Sequence, residues 1–187
     1  MQTNKTKGRI WIGAQGPKML GIAHQFEGVL LNYAHPDLVK WATSQIGQVF
    51  NEDFQLGLYA PSYVYKDLNP KIQGRLKIPS AIVALSAPKT FQKNKGLYQK
   101  TVEAKKKLNE GFNAASALSD MPIETVEWFS IFKSFNGLEA YLTELTKLNI
   151  DHVVFSYPQN YLKETVRDLA YALRDFRKRK TVFSRVE

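Results

Sequence analysis

The sequence predicts an α/β fold with a parallel sheet. Three observations carry that prediction. Short apolar runs alternate with amphipathic helical patterns, the helical patterns open on prolines, and the order read from the N-terminus is β-α-β-α-β. Parallel strands joined by helices then require right-handed crossovers.

The elements follow in order. Ile10, Trp11 and Ile12 form a short buried strand. "GAQGPK" ends it, and Gly16-Pro17 starts a helix, with proline where its missing N–H costs nothing. Met19, Leu20, Ile22, Ala23 and Phe26 recur at helical spacing, and Val29-Leu30-Leu31 is a second strand entered from Gly28. "HPD" at 35–37 opens a second helix whose apolar face is Leu38, Val39, Trp41, Ala42, Ile46, Val49 and Phe50. Phe54, Leu56, Leu58 and Ala60 alternate as a third strand. Beyond it, Asn69-Pro70 starts a helix that Pro79 is expected to interrupt, and "SAIVALSA" continues as buried helix or strand. "TFQKNKGLYQK" reads as an exposed excursion. Residues 100–113 read as a charged helix, and "SDMPIETVEWF" starts another with Ser119 or Asp120 as cap. A helix over 138–148, a fourth strand at 152–155 and a last helix over 161–177 complete the chain.

Composition sets the bounds. The 187 residues are read as a single domain over 1–187, with 44% hydrophobic and 23% charged residues. No apolar stretch approaches the roughly 18 residues of a membrane span, and "MQTNKTKGR" lacks the apolar stretch of a signal peptide. The chain has no cysteine, which excludes disulfides, thiol nucleophiles and zinc–thiolate sites and fits a cytoplasmic protein. A formal charge of +9 concentrates in 89–107 and in "RDFRKRK" at 174–180. Nucleic acid is one reading of those runs. Solvated helix faces are the preferred one, since neither run interleaves aromatics as RNA-stacking segments do. Attraction of a polyanionic ligand by the general field is a third.

The turn "GAQGPK" carries the chemistry. A strand that feeds a helix through small residues leaves backbone N–H groups pointing outward, a favourable place for phosphate. Gly13 and Gly16 let a ligand approach the main chain, Ala14 keeps the approach open, Gln15 offers a side-chain donor and Lys18 a charge. The same residues also suit a compact turn with glycine chosen for backbone shape. The pattern is neither the dinucleotide Gly-x-Gly-x-x-Gly nor a P-loop.

"IWIGAQGPKML", followed by an alanine-containing helix and "EGVLLN", resembles the C-terminal half of the luciferase-like flavin and deazaflavin oxidoreductases, in particular the methylenetetrahydromethanopterin reductases, which use coenzyme F420. The resemblance implies a partial (β/α)8 TIM-barrel-like fold, luciferase-like, of about four βα units. Its fifth and sixth strands flank the loop, "DFQLGLYAPSYVYKD" is the seventh, "ETVEWFSIF" the helix before the eighth, and "KLNIDHVVFSYP" the eighth. It further implies that FMN or F420 is held by its phosphate on the amides of Gly13, Ala14, Gln15 and Gly16, with Asn32 beside the cofactor at the C-terminal mouth of the strands. The activity implied is an oxidoreductase or monooxygenase that moves hydride to or from a small organic substrate.

Departures accompany the resemblance. Glu27 stands where the family usually has an acidic residue, often aspartate, and "SFNGL" at 134–138 replaces a Gly-Thr-Pro turn, which weakens a ligand role there. The family's first four strands, which hold the ring and the substrate, have no counterpart, so catalytic side chains are expected outside this chain. Half a barrel leaves open edges and an apolar face, which predicts a homodimer or pairing with a separate N-terminal half. A non-catalytic half-barrel partner and a basic nucleic-acid-binding domain are the alternatives.

The other candidates are weaker. His24, His35 and His152 show no spacing for zinc. Glu124 and Glu127 read as surface residues, and Trp11, Trp41 and Trp128 as core or interface.

Overall fold

The computed structural model describes residues 9–47, 52–159 and 163–183, without the side chains of Asp175 and of 178–183. Trp11–Ala14 (β1) pairs in parallel with Gly28–Leu31 (β2), and β2 pairs in parallel with Gln55–Tyr65 (β3). His152–Pro158 (β5) and Ile131–Ser134 (β4) both pair with β3, again in parallel. Gly57 and Leu58 pair with β2 and with β5, so those two strands occupy opposite edges of β3. Ser62 pairs with both β4 and β5, which puts β4 on the β2 edge, past the end of β2.

Nine α-helices are described: Pro17–Ile22 (α1), Pro36–Ser44 (α2), Pro70–Ser86 (α3), Lys89–Asn94 (α4), Tyr98–Asn109 (α5), Ala114–Ala117 (α6), Thr125–Phe129 (α7), Phe135–Lys147 (α8) and Lys163–Phe183 (α9). Their starts follow from local chemistry. Asn69 caps α3 by accepting from the Lys71 amide at 3.0 Å, and His35 Nδ1 accepts from the Asp37 amide at 3.2 Å at the start of α2. The core lies between the sheet and the helices. Val29, Leu31, Leu58 and Ala60 from the strands, with Leu20, Val39, Ala84 and Leu145 from the helices, are buried in one cluster. Tyr63, Ile72, Leu76 and Val126 form a smaller one.

Several expectations are corrected. The first strand runs to Ala14, so Gly13 and Ala14 belong to the strand and the loop is only Gln15-Gly16. Met19 and Ile22 are exposed on α1; six residues present only one apolar flank, taken by Leu20. Pro79 does not interrupt α3, because Leu76, Ala81, Val83 and Ala84 are buried around it and their packing outweighs the roughly 3 kcal/mol a proline costs inside a helix. The supposed excursion is α4 and the start of α5, pinned by buried Gln92 and Leu97. Neither Ser119 nor Asp120 caps the following helix: α7 starts at Thr125 behind Glu124. That helix ends at Phe129, and β4 follows within the stretch read as helical. The third and last strands are longer than expected, and the last helix is described over Lys163–Phe183. Val49, Phe50 and Tyr161 lie outside the described residues. Among the described residues, no helix is long and apolar enough to cross a membrane.

Candidate functional site

Side chains alternate between the two faces of a strand, and paired residues of parallel strands share a face. The register therefore puts Trp11, Gly13, Leu30, Gly57, Tyr59 and Val154 on one face, and Ala14, Leu31, Leu58 and Val153 on the other. Helices bury the second face. The first is open: Tyr59 is 43% and Val154 42% exposed. Trp11 fills its lower end. A Cβ on Gly28 would stand 2.8 Å from Trp11 Cε2, and one on Gly57 2.7 Å from Trp11 Cζ3, so glycine at both positions makes room for the indole. The ring edge reaches His152, with centroids 5.2 Å apart.

Above this floor, at the C-terminal ends of the strands, lies a cavity of about 420 Å³. Gly13, Ala14, Gln15, Gly16 and Asn32, the five residues named from the sequence, all line it, with Met19, Leu30 and Tyr59 beside them. Lys18 is exposed on α1 and is not among the lining residues.

The two glycines of the loop differ from Gly28 and Gly57. No atom lies within 4 Å of a Cβ built on Gly13 or Gly16. Nor does the backbone demand glycine: Gly16 is extended (φ −89°, ψ 156°), and the described glycines with positive φ are Gly96 and Gly111. Backbone shape thus does not account for either one. Each costs about 0.5–1 kcal/mol of chain entropy relative to alanine and leaves bare main chain beside the cavity.

Hydrogen bonding sharpens the picture. Among the described residues, no acceptor takes the amide hydrogen of Gln15 or Gly16, and Pro17 has none to give. Asn32 Oδ1 is buried without a partner. Gln15 is held from behind: its carbonyl accepts from the Tyr33 hydroxyl at 3.0 Å, and its Oε1 accepts from Ser86 Oγ at 2.8 Å. The Gln15 side chain is therefore anchored to α3 through its amide oxygen. Tyr33 is fully buried; burial pushes its pKa up to about 12, against the lowering effect of its bond with Ser86. Tyr33 and Ser86 escaped the sequence reading. The alternation that turns Asn32 to the cavity does put Tyr33 on the opposite side, but Ser86, 71 residues from Gln15, carries no local signal.

The remaining candidates sit elsewhere. His24 has a buried, unpartnered Nδ1, His35 caps α2 and His152 meets Trp11. Glu124 and Glu127 are both exposed around α7. Trp41 packs nearly perpendicular to Tyr33, and the Lys95 ammonium lies 5.3 Å from the centre of the Trp128 ring.

No protein-family model matches the chain. By sequence it is 30% identical over 163 residues to the 5,10-methylenetetrahydromethanopterin reductase of Archaeoglobus fulgidus, an alignment covering 80% of this chain and 48% of that protein. Among solved structures, the coenzyme F420 dependent tetrahydromethanopterin reductase of Methanopyrus kandleri superposes with a TM-score of 0.62 at 24% identity, over 80% of this chain and 45% of the other. An F420-dependent secondary alcohol dehydrogenase, solved with an F420–acetone adduct, gives a TM-score of 0.53 at 9% identity, over 81% and 43%. The chain spans about half the length of the relatives it matches. It is homologous to methylenetetrahydromethanopterin reductase and carries, as a partial barrel, the parallel α/β fold of the luciferase-like F420-dependent enzymes.

Proposed function

We propose that this chain is the phosphate-binding portion of a luciferase-like, F420-dependent oxidoreductase. The observation that supports it most is the pair of glycines at 13 and 16, which neither packing nor conformation requires and which leave main chain bare beside the cavity. In this reading the unpaired amides of Gln15 and Gly16 hold the phosphate, as backbone amides at a strand-to-helix corner do elsewhere. The buried Oδ1 of Asn32 accepts a hydrogen bond from the ligand. Leu30, Met19 and Tyr59 exclude water from its apolar side. When bound, F420 supplies a hydride donor or acceptor; this chain binds and orients, and a small organic substrate is the other reactant.

The open strand face extends the proposal. In the relatives, the length this chain does not match is slightly more than half. Among the described strands β1, β4 and β5 each pair with one neighbour, β1 and β5 being the edges at the two sides of the sheet, and Tyr59 and Val154 are exposed on the inner face. A second set of parallel βα units, from another copy or a separate N-terminal half, would pair with both edges and cover that face.

Fluorescence titration tests the reading. The purified chain, alone and with any partner that closes the sheet, is titrated with F420 and in parallel with FMN. Saturable F420 binding that Gly13→Val and Gly16→Val abolish is the expected result. Saturation by FMN alone would move the proposal to flavin. Binding unaffected by both valines, or no binding of either cofactor in any assembly, would overturn it.

A further inference from the structure

A phosphate grip of main-chain amides works only if the peptide planes face the right way. The loop offers little to secure this, since it is two residues long and glycine, the most mobile residue, is one of them. A peptide that flips presents its carbonyl oxygen where its N–H had been, and an anion is then repelled instead of held. The chain has to fix the 15–16 plane by some other means.

We propose that Tyr33 and Ser86 are positioning residues that lock the Gln15–Gly16 peptide with its N–H toward the cavity; the proposal rests on the phosphate reading of this loop. In a trans peptide the C=O of one residue and the N–H of the next point in opposite directions, and the peptide after Gln15 is trans. Tyr33 takes the Gln15 carbonyl at 3.0 Å, so the Gly16 N–H points away from Tyr33. Tyr33 stands behind the loop: its neighbour Asn32 lines the cavity, while Tyr33 itself is fully buried in the helix-side core, its ring centre 6.1 Å from that of Trp41. The Gly16 amide is thereby directed forward, and it has no acceptor among the described residues.

Ser86 makes the second attachment and supplies the rigid post. It is the last residue of α3, whose flank carries Ala81, Val83 and Ala84 into the core. Ser86 Oγ lies 2.8 Å from Gln15 Oε1 and 2.9 Å from the Val83 carbonyl. Its own carbonyl shares the Tyr33 hydroxyl with Gln15, at 3.1 Å. Helix ends leave carbonyls unpaired; here buried Gln92 takes Ala84 O at 2.9 Å and Tyr33 takes Ser86 O. The end of β2, the loop and the end of α3 are thus joined through Gln15, whose carbonyl and side chain are both drawn to the side away from the ligand.

The test uses the full chain with Tyr33→Phe, Ser86→Ala and Ser86→Thr. Two readouts separate this proposal from the functional reading beneath it: F420 affinity, and the ¹⁵N relaxation order parameter of Gly16 in the ligand-free protein. Tyr33→Phe and Ser86→Ala should each weaken F420 binding about tenfold, as loss of one hydrogen bond implies. Both should lower the Gly16 order parameter toward about 0.6, while Ser86→Thr restores both readouts. Ser86 is exposed, so its alanine variant keeps the test alive should Tyr33→Phe unfold. If the wild-type chain binds no F420, the functional reading fails and the order parameter alone decides the clamp. Unchanged order at Gly16 in Ser86→Ala, or wild-type affinity in a chain that does bind, would overturn it.

Discussion

Glycine substitutions at Gly57, Gly28, Gly13 and Gly16 should change stability in opposite directions. At Gly57, a methyl group would sit 2.7 Å from Trp11 Cζ3 and 2.8 Å from Leu30 Cδ1, well inside contact distance. The indole cannot slide clear, because it also covers Gly28 and abuts His152. Overpacking of this kind costs about 1–3 kcal/mol, which for a chain of 187 residues lowers Tm by roughly 2–12 °C. Gly28→Ala should be at least as harmful, since one of its close neighbours, Gln55 O at 2.9 Å, is backbone. At Gly13 the methyl meets nothing within 4 Å, and Gly13→Ala should stabilise the free protein by about 0.4–1 kcal/mol through the unfolded chain. Gly16 precedes α1 as its N-cap, where serine is favoured over glycine by a few tenths of a kcal/mol. Gly16→Ser should therefore be neutral to mildly stabilising while it narrows the approach to the amides. Thermal unfolding and F420 titration read the two effects separately. A loss of stability at Gly13→Ala or Gly16→Ser would show that the protein's own structure needs those glycines, and the case for a ligand would lose its main support.

Two further outcomes follow from other parts of the fold. Burial holds His35 below its ordinary value of 6.5; Asp37 opposes that, Lys95 and Lys133 add to it, and Glu144 opposes it. The unfolded chain therefore takes the proton first, and stability contributed by neutral His35 is lost as pH falls from 6.5 through the lowered value. His35→Asn keeps an N-cap acceptor without the titration, so its Tm should fall less steeply than wild type between about pH 7.5 and 5.5; parallel curves would refute the assignment. Gln159 is fully buried, accepts from the Val64 amide and donates to the Val64 and Thr165 carbonyls. Gln159→Leu would take this partner from the Val64 amide and carbonyl and should cost about 2–4 kcal/mol in urea unfolding at constant m; a loss under about 1 kcal/mol would show that the backbone finds other partners.

The sequence displayed the parts of this molecule that depend on near neighbours. Val29-Leu30-Leu31 pairs as a buried strand, and the turn residues flank the cavity, because apolar runs, glycine and proline act locally. What it concealed depends on distant contacts. Ile131–Ser134 becomes a strand only because the end of β3 extends past β2 and offers it an edge. Pro79 stays helical because the core holds both flanks of α3. Gly16 and Gly57 look alike as letters; Trp11, 46 positions before Gly57 in the chain, is what separates a glycine needed for packing from one left open.

On the proposed reading, the composition of the cavity divides the labour between this chain and the units that would close the sheet. Of the eight residues that line it, Tyr59 alone carries a titratable group; no lining residue is a carboxylate, imidazole or amine. A proton moved between a substrate and the protein in that space would have to come from the Tyr59 hydroxyl or from groups across the open face. What the chain does supply is backbone, and a backbone amide is common to nearly every residue type. The demand on sequence at such a grip is chiefly for absent bulk, which Gly13, Ala14 and Gly16 meet. On that reading binding and chemistry are separable: variants of Gly13 or Gly16 should change cofactor affinity in the isolated chain, whereas turnover should depend on supplying the opposing half of the barrel.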